Sequence, residues 1–266
     1  SKTFGDKKII NDFSYIVLRN DRIGIVGQNG VGKSTLIKIL EGKLIADSGE
    51  VIKGETVKIG CFSQDDSHMN PDMRVLEYVK EAGEYLPTAT GDRITASQMC
   101  EKFLFDGTMQ WTLIGKLSGG ERRRLHLLKI LMEAPNVLLL DEPTNDLDIE
   151  TLKILEDYLD DFNGAVITVS HDRYFLNKVI NKIWELEQDK LNIYLGNYSY
   201  YSDKKKNPHR YEGIEENNIG KTKTQIKDEK KKKREREKEI KQKTLKIKNI
   251  EKEISIVEES LDRLQE

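Results

Sequence analysis

Cysteine is nearly absent, with Cys61 and Cys100 the two thiols in 266 residues. Their spacing is that of neither a zinc site nor a redox pair, which sets aside the disulfide-stapled class and suits a reducing cytosol. No apolar run approaches the roughly 18 residues of a membrane span, and nothing at the N-terminus resembles a signal peptide. No membrane partner is therefore expected. A large overall charge is missing too, the net being −2. The balance is uneven, however: residues 221–243 carry twelve Lys and Arg against five Asp and Glu, an excess of seven that leaves about −9 elsewhere. This stretch has little aromatic interleaving, which argues against stacking on single-stranded nucleic acid and leaves phosphate contact as its chemistry. There is no initiating Met, and Glu266 interrupts a helical repeat, so a piece of a longer chain is expected.

What the chain does hold is a glycine-rich turn at residues 27–35, GQNGVGKST. It follows the apolar Ile23 to Val26 and runs into the amphipathic Leu36-Ile37-Lys38-Ile39-Leu40, which places it between a buried strand and a helix start. Such a turn aims successive backbone N–H groups and a helix N-terminus at phosphate oxygens. Lys33 reaches terminal phosphates, and the Ser34 hydroxyl is placed to ligate Mg²⁺. A nucleoside triphosphate is the expected ligand.

In chain order, Ile9, Phe13 and Ile16 suggest short strands over the nucleotide core, and Phe4 stands beside them either as a core residue or as a platform for a base. Val51-Ile52 and Val57 to Phe62 read as further strands, the last ending at Gln64. Residues 68–116 read as a small helical insert, with Val75, Tyr78 and Val79 on one apolar stripe and Met99, Phe103 and Leu104 on another. Ser118-Gly119-Gly120-Glu121 opens the next helix as a capping box. The all-apolar run Val137 to Leu140 ends in Asp141 and Glu142, at the strand end where ligands of parallel sheets sit. Residues 149–162 form an amphipathic helix, and the strand Ala165 to Val169 delivers Ser170 and His171 to the same edge. A lone His after a strand is commonly a surface residue. Trp184 to Leu186 and Ile193 to Leu195 close the sheet, and residues 204–220 read as a linker. Beyond it Ile247, Ile250, Ile254, Val257, Leu261 and Leu264 step by threes and fours, a coiled-coil seam that needs a partner helix.

The order of phosphate loop, Gln64, Leu117-Ser118-Gly119-Gly120-Glu121, Leu138 to Glu142, Asn145 to Asp148 and His171 resembles that of an ATP-binding cassette, over residue 1 to about 203. The resemblance implies an α/β fold: a P-loop ATPase domain with a parallel core sheet, an antiparallel β subdomain and a small helical subdomain, then the linker and a basic coiled-coil arm at 221–266. It also implies roles. Phe4 would be the adenine platform, and Gly27, Gln28, Asn29, Gly30, Val31, Gly32, Lys33, Ser34 and Thr35 would hold the phosphates. Ser34, Gln64 and Asp141 would serve Mg²⁺, Glu142 would be the base for the attacking water, and His171 the γ-phosphate switch. Ser118, Gly119, Gly120 and Glu121 would cap the ATP of an opposing cassette, so efficient turnover would require a pair.

The stretches DEPTNDLDIETL (141–152), VSHDRYFL (169–176) and YLGNYSYY (194–201), with the short insert and the lysine-rich arm, resemble the ABC-F proteins. Within that family they resemble the second cassette and arm of the Uup-like branch, Asp146 being one pointer to it. The resemblance implies a cytoplasmic two-cassette ATPase acting on ribosomes. The alternatives are DNA as the target of the arm and, less in keeping with these stretches, the ATPase subunit of a membrane transporter.

Overall fold

A computed structural model describes residues 1–4, 7–63, 69–87, 93–187 and 190–207. Gln64, residues 208–220 of the expected 204–220 linker, and the whole expected 221–266 coiled-coil arm lie outside them. The elements are β1 (Lys2–Phe4), β2 (Lys7–Ile10), β3 (Arg22–Val26), α1 (Lys33–Glu41), β4 (Ile59–Phe62) and α2 (Val75–Ala82). They continue as β5 (Tyr85–Pro87), β6 (Arg93–Thr95), α3 (Ala96–Lys102), α4 (Gly119–Met132), β7 (Val137–Asp141), α5 (Pro143–Asp146) and α6 (Ile149–Asp161). The last are β8 (Ala165–Val169), α7 (Arg173–Val179), β9 (Lys182–Glu187), β10 (Lys190–Leu195) and α8 (Tyr198–Lys206).

Six strands form the central sheet in the order β10-β9-β3-β8-β7-β4. All neighbours are parallel except β10, which returns antiparallel along β9. The apolar runs are sheet interior covered on both faces: every residue of β8 is buried, and β3 and β7 are buried after their first residue. Side chains alternate between two cores. Leu138, Leu140 and Val166 face the core built with α4, α6 and α7, whereas Leu139, Ile167 and Val169 face the one built with α1 and Trp184.

The α/β architecture is as expected, with four differences in detail. Residues 51–58 form no strand, and Ile52 is 81% exposed. Nor do residues 13–18 form one: Phe13 and Tyr15 pack edge-on against Trp184 at 5.1 and 5.0 Å, while Ile16 turns outward. Both stretches have strand-like composition, but no ladder partner reaches them among the described residues. β1 pairs with β2, and Thr3 N and Lys2 Nζ donate to the Asp47 carboxylate at 2.7 and 2.5 Å.

The insert is also less purely helical than its pattern, since β5 and β6 pair antiparallel between α2 and α3. Leu104 leaves the apolar stripe, with a positive φ of 59° and partial exposure, while Phe103 and Phe105 on either side are fully buried. Finally, α8 runs to Lys206, three residues into the stretch read as a linker.

Candidate functional site

Parallel pairing sets the carboxyl ends of β3, β8 and β7 side by side. Ile25 is level with Val169, and Val169 with Asp141, so the phosphate loop, Ser170–His171 and Asp141–Glu142 emerge at one sheet edge. A cavity of about 510 Å³ opens there. Residues 27–31 and Lys33 line one side of it, with Ser170 and His171 among the other lining residues.

Two glycines make the loop possible. A Cβ on Gly27 would lie 2.4 Å from the carbonyl oxygen of Leu186, because β9 runs directly beneath the loop. Gly32 caps α1 in the left-handed region with φ 115°, and a Cβ there would strike Ile9 at 2.0 Å. Lys33 is buried and folds back over the loop, its Nζ donating to the carbonyls of Gly27 at 3.0 Å and Gln28 at 3.2 Å. The ammonium thus stands at the centre of the loop.

Ser34, on the first turn of α1, is near enough to the Asp141 carboxyl to favour its ionised form, and Thr35 beside it is half-buried. Burial pushes the Asp141 pKa up, and the Ser34 hydroxyl with the charges of Lys38 and Lys33 only partly opposes it. Asp141 Oδ1 is buried with no partner among the described residues. A buried oxygen of this kind, next to a hydroxyl and two ammonium groups, suits a cation or water that completes its coordination.

Glu142 is the strained residue of the site. It occupies the left-handed region at φ 52°, ψ 52°, where a residue with a Cβ normally costs about 1–2 kcal/mol. Its N–H donates to Val169 O at 2.9 Å, tying the turn to β8. The conformation aims the carboxylate at His171, whose Nε2 is 3.3 Å from Glu142 Oε1. Oε2 is buried without a partner among the described residues. Glu142 is thus walled in, while the His171 side chain is 57% exposed. An oriented carboxylate with one free buried oxygen is what a general base for water requires.

Ser118, Gly119, Gly120 and Glu121 do not join this cavity. They are the N-terminus of α4, and Ser118 N donates to Glu121 Oε2 at 2.7 Å while Glu121 N donates to Ser118 Oγ at 3.3 Å. The capping box therefore forms. Both glycines are exposed and a Cβ on either would meet nothing within 4 Å, so neither is required by packing among the described residues. The backbone of Phe4 closes β1; its side chain, like Gln64, lies outside what is described.

Several supports escaped the sequence reading. Arg123 is buried on α4 and donates to Ser63 O at 3.0 Å, holding the chain just before Gln64. Arg124, stacked 4.8 Å above Phe105, reaches Asp148 Oδ2 at 3.4 Å, and Asp148 caps α6 through Thr151 N at 2.7 Å. Thr144 and Ser170 share a hydroxyl–hydroxyl bond of 2.9 Å that joins the turns after β7 and β8. Apart from the local Asp148 cap, each pair is distant in sequence, and periodicity within one element carries no signal of it.

The ABC transporter family pattern matches residues 10–145. The chain is 50% identical over 204 residues to the uncharacterized ABC transporter ATP-binding protein YfmR of Bacillus subtilis, covering 76% of this chain and 32% of the relative. It is 42% identical to the energy-dependent translational throttle protein EttA of Haemophilus influenzae, over 77% of this chain and 37% of that one. With the ATP-binding protein Uup of Escherichia coli it shares 39% over 72% of this chain and 30% of that one. The chain thus spans about a third of these relatives' lengths. Among solved structures, an ATP-binding cassette in a dimeric post-hydrolysis state with ADP and Pi shares the fold, at TM-score 0.56 and 19% identity over 73% of this chain and 95% of that one. On the family match, which covers just over half of its residues, the chain belongs to the ABC transporter family of ATP-binding cassettes.

Proposed function

We propose that the chain is an ATP-hydrolysing cassette of a cytoplasmic ABC-F protein that acts on ribosomes, and that it works paired with a second cassette. The observation that carries the catalytic part is the meeting of Lys33, Asp141, Glu142 and His171 at one sheet edge. Phosphoryl transfer to water requires positioning and charge neutralisation more than covalent chemistry. Residues 27–33 supply converging N–H groups, a helix N-terminus and the Lys33 ammonium to hold a triphosphate. Glu142 holds and deprotonates the attacking water through the carboxylate oxygen that His171 does not engage. His171 stands between that carboxylate and the cavity, in reach of a terminal phosphate.

The residues at Ser34 and Asp141 fit Mg²⁺, which when bound would neutralise phosphate charge. No cluster of three or more His, Cys, Asp or Glu able to hold a metal exists among the described residues. The ion would therefore draw its other ligands from phosphate and water, the usual arrangement for Mg²⁺. Ser118, Gly119 and Gly120 are exposed, and with Glu121 they lie outside the cavity, which supports a role toward an opposing cassette. The ribosomal part rests on the relatives whose names state a role in translation. No relative described here gives comparable support to DNA as the target. Among the described residues no helix is long and apolar enough to cross a membrane.

Equilibrium binding of a fluorescent ATP analogue to the chain and to Lys33→Ala tests the site. We expect at least a hundredfold loss of affinity with an unchanged circular dichroism spectrum, since charge-assisted phosphate bonds are the strong ones. Equal affinities would sink the phosphate-loop assignment.

A further inference from the structure

The cavity at the phosphate loop has a wall that the catalytic residues do not account for. Tyr198, Tyr201 and Lys205 of α8 line it together with Glu185 of β9. Glu185 is level with Val26, the last residue before the loop, and is 3% exposed. A carboxylate that deep is costly unless it is fully bonded. Three side chains satisfy this one: Tyr194 donates to Oε2 at 2.9 Å, Tyr201 to Oε1 at 2.5 Å, and Lys205 forms an ion pair with Oε1. Burial alone would raise the Glu185 pKa, yet these bonds hold it below the ordinary range.

The other side of α8 is fastened to the His171 side of the cavity. Asn177 of α7 accepts from Ser199 N at 2.8 Å, and Arg173 lies 5.8 Å over the Tyr198 ring. α7 begins two residues after His171. One nine-residue helix therefore clasps both the strand under the phosphate loop and the helix that follows His171. A ligand bridging the loop and His171 would lie between two bodies that α8 already joins.

We propose that α8 is a wall of the nucleotide pocket, that Glu185 is the positioning residue that docks it through Lys205 and Tyr201, and that nucleotide binding and α8 docking stabilise each other. The proposal rests on the nucleotide-site reading above and adds a device to it. Coupling of this kind is reciprocal: the factor by which ATP strengthens docking equals the factor by which loss of docking weakens ATP.

The test is backbone hydrogen exchange at residues 198–206 in the 266-residue chain, with and without ATP, alongside ATP affinity. In the parent, saturating ATP should slow exchange there by about fivefold or more, the lower end of usual couplings. Lys205→Met should remove that response and weaken ATP by a matching factor, while Lys205→Arg restores both. Lys205 is about half exposed, so its variants do not threaten the fold. Glu185→Gln should act like Lys205→Met. If the parent binds ATP and α8 exchange does not respond, the proposal fails and the nucleotide site stands. A response that survives both Lys205→Met and Glu185→Gln overturns the assignment to Glu185. If the parent binds no ATP, or Lys33→Ala binds as the parent does, the underlying site reading fails and this proposal falls with it.

Discussion

Glu142 shows how a single residue holds strain for a purpose. Its positive φ and its buried oxygen, without a partner among the described residues, both cost stability, and a glycine would remove both. Glu142→Gly should therefore raise the melting temperature by roughly 2–4 °C, the shift that about 1 kcal/mol gives a domain of this size, with glycine's extra freedom in the unfolded chain offsetting part of the relief. Turnover should vanish in the same protein. A melting scan showing destabilisation would contradict the strain argument. Glu185 has the opposite character, being held by partners. Its depressed pKa means that it contributes stability above the ordinary carboxylate range, and that this is lost as pH falls through its lower folded value. Glu185→Gln should thus flatten the fall of the melting temperature as the pH drops below the ordinary carboxylate pKa of about 4.3 toward the lowered folded value. The two thiols, Cys61 and Cys100, are each pushed up to about 12, chiefly by burial. They should react slowly with a thiol probe in the folded chain at pH 8.

Elements defined by one strong periodicity were legible from the sequence. β3, β7 and β8 are unbroken apolar runs, α6 has its leucines on one face, and the turns between strand and ligand residue are where glycine and paired acids put them. Elements that need a distant partner were not. Val51 and Ile52 have strand chemistry, but a strand requires a neighbour to bond, and none pairs there among the described residues. β5 and β6 are three residues each, too short for alternation to register. α8 was obscured because its helix face is chosen by Glu185 and Asn177, which lie 16 to 22 positions upstream of the residues they hold, rather than by an apolar stripe of its own. Of the site, the residue types were legible, whereas their supports Arg123, Arg124 and Thr144 were not, because each acts across the fold. The N-terminus of α4 allows a separation of roles at this scale. Ser118→Ala removes a cap and should cost about 1 kcal/mol in chemical denaturation. ATP affinity of the isolated chain should not change, because Ser118 does not line the cavity. Loss of affinity in a dilute sample would place Ser118 in the chain's own site.

At the scale of the molecule, the proposed function makes the pocket edge and the α4 terminus, which does not line the cavity, complementary halves of one reaction. If turnover requires both, specific activity should rise with chain concentration as cassettes pair, and mixing Lys33→Ala with Ser118→Ala chains should restore part of the activity each lacks. Specific activity independent of concentration in a demonstrated monomer would show that one face is enough. The central claim is narrower, that this sheet edge binds ATP and that Glu142 activates the water which attacks it. It is tested most directly by measuring ATP affinity and single-turnover hydrolysis on the same preparations of the parent and of Glu142→Gln, which keeps the side chain's shape and removes its basicity. A positioned general base contributes about 10²- to 10⁴-fold in rate. The account predicts parental ATP affinity with hydrolysis reduced by that factor. Hydrolysis at the parental rate, or a loss of ATP binding that accounts for the lost turnover, would contradict it.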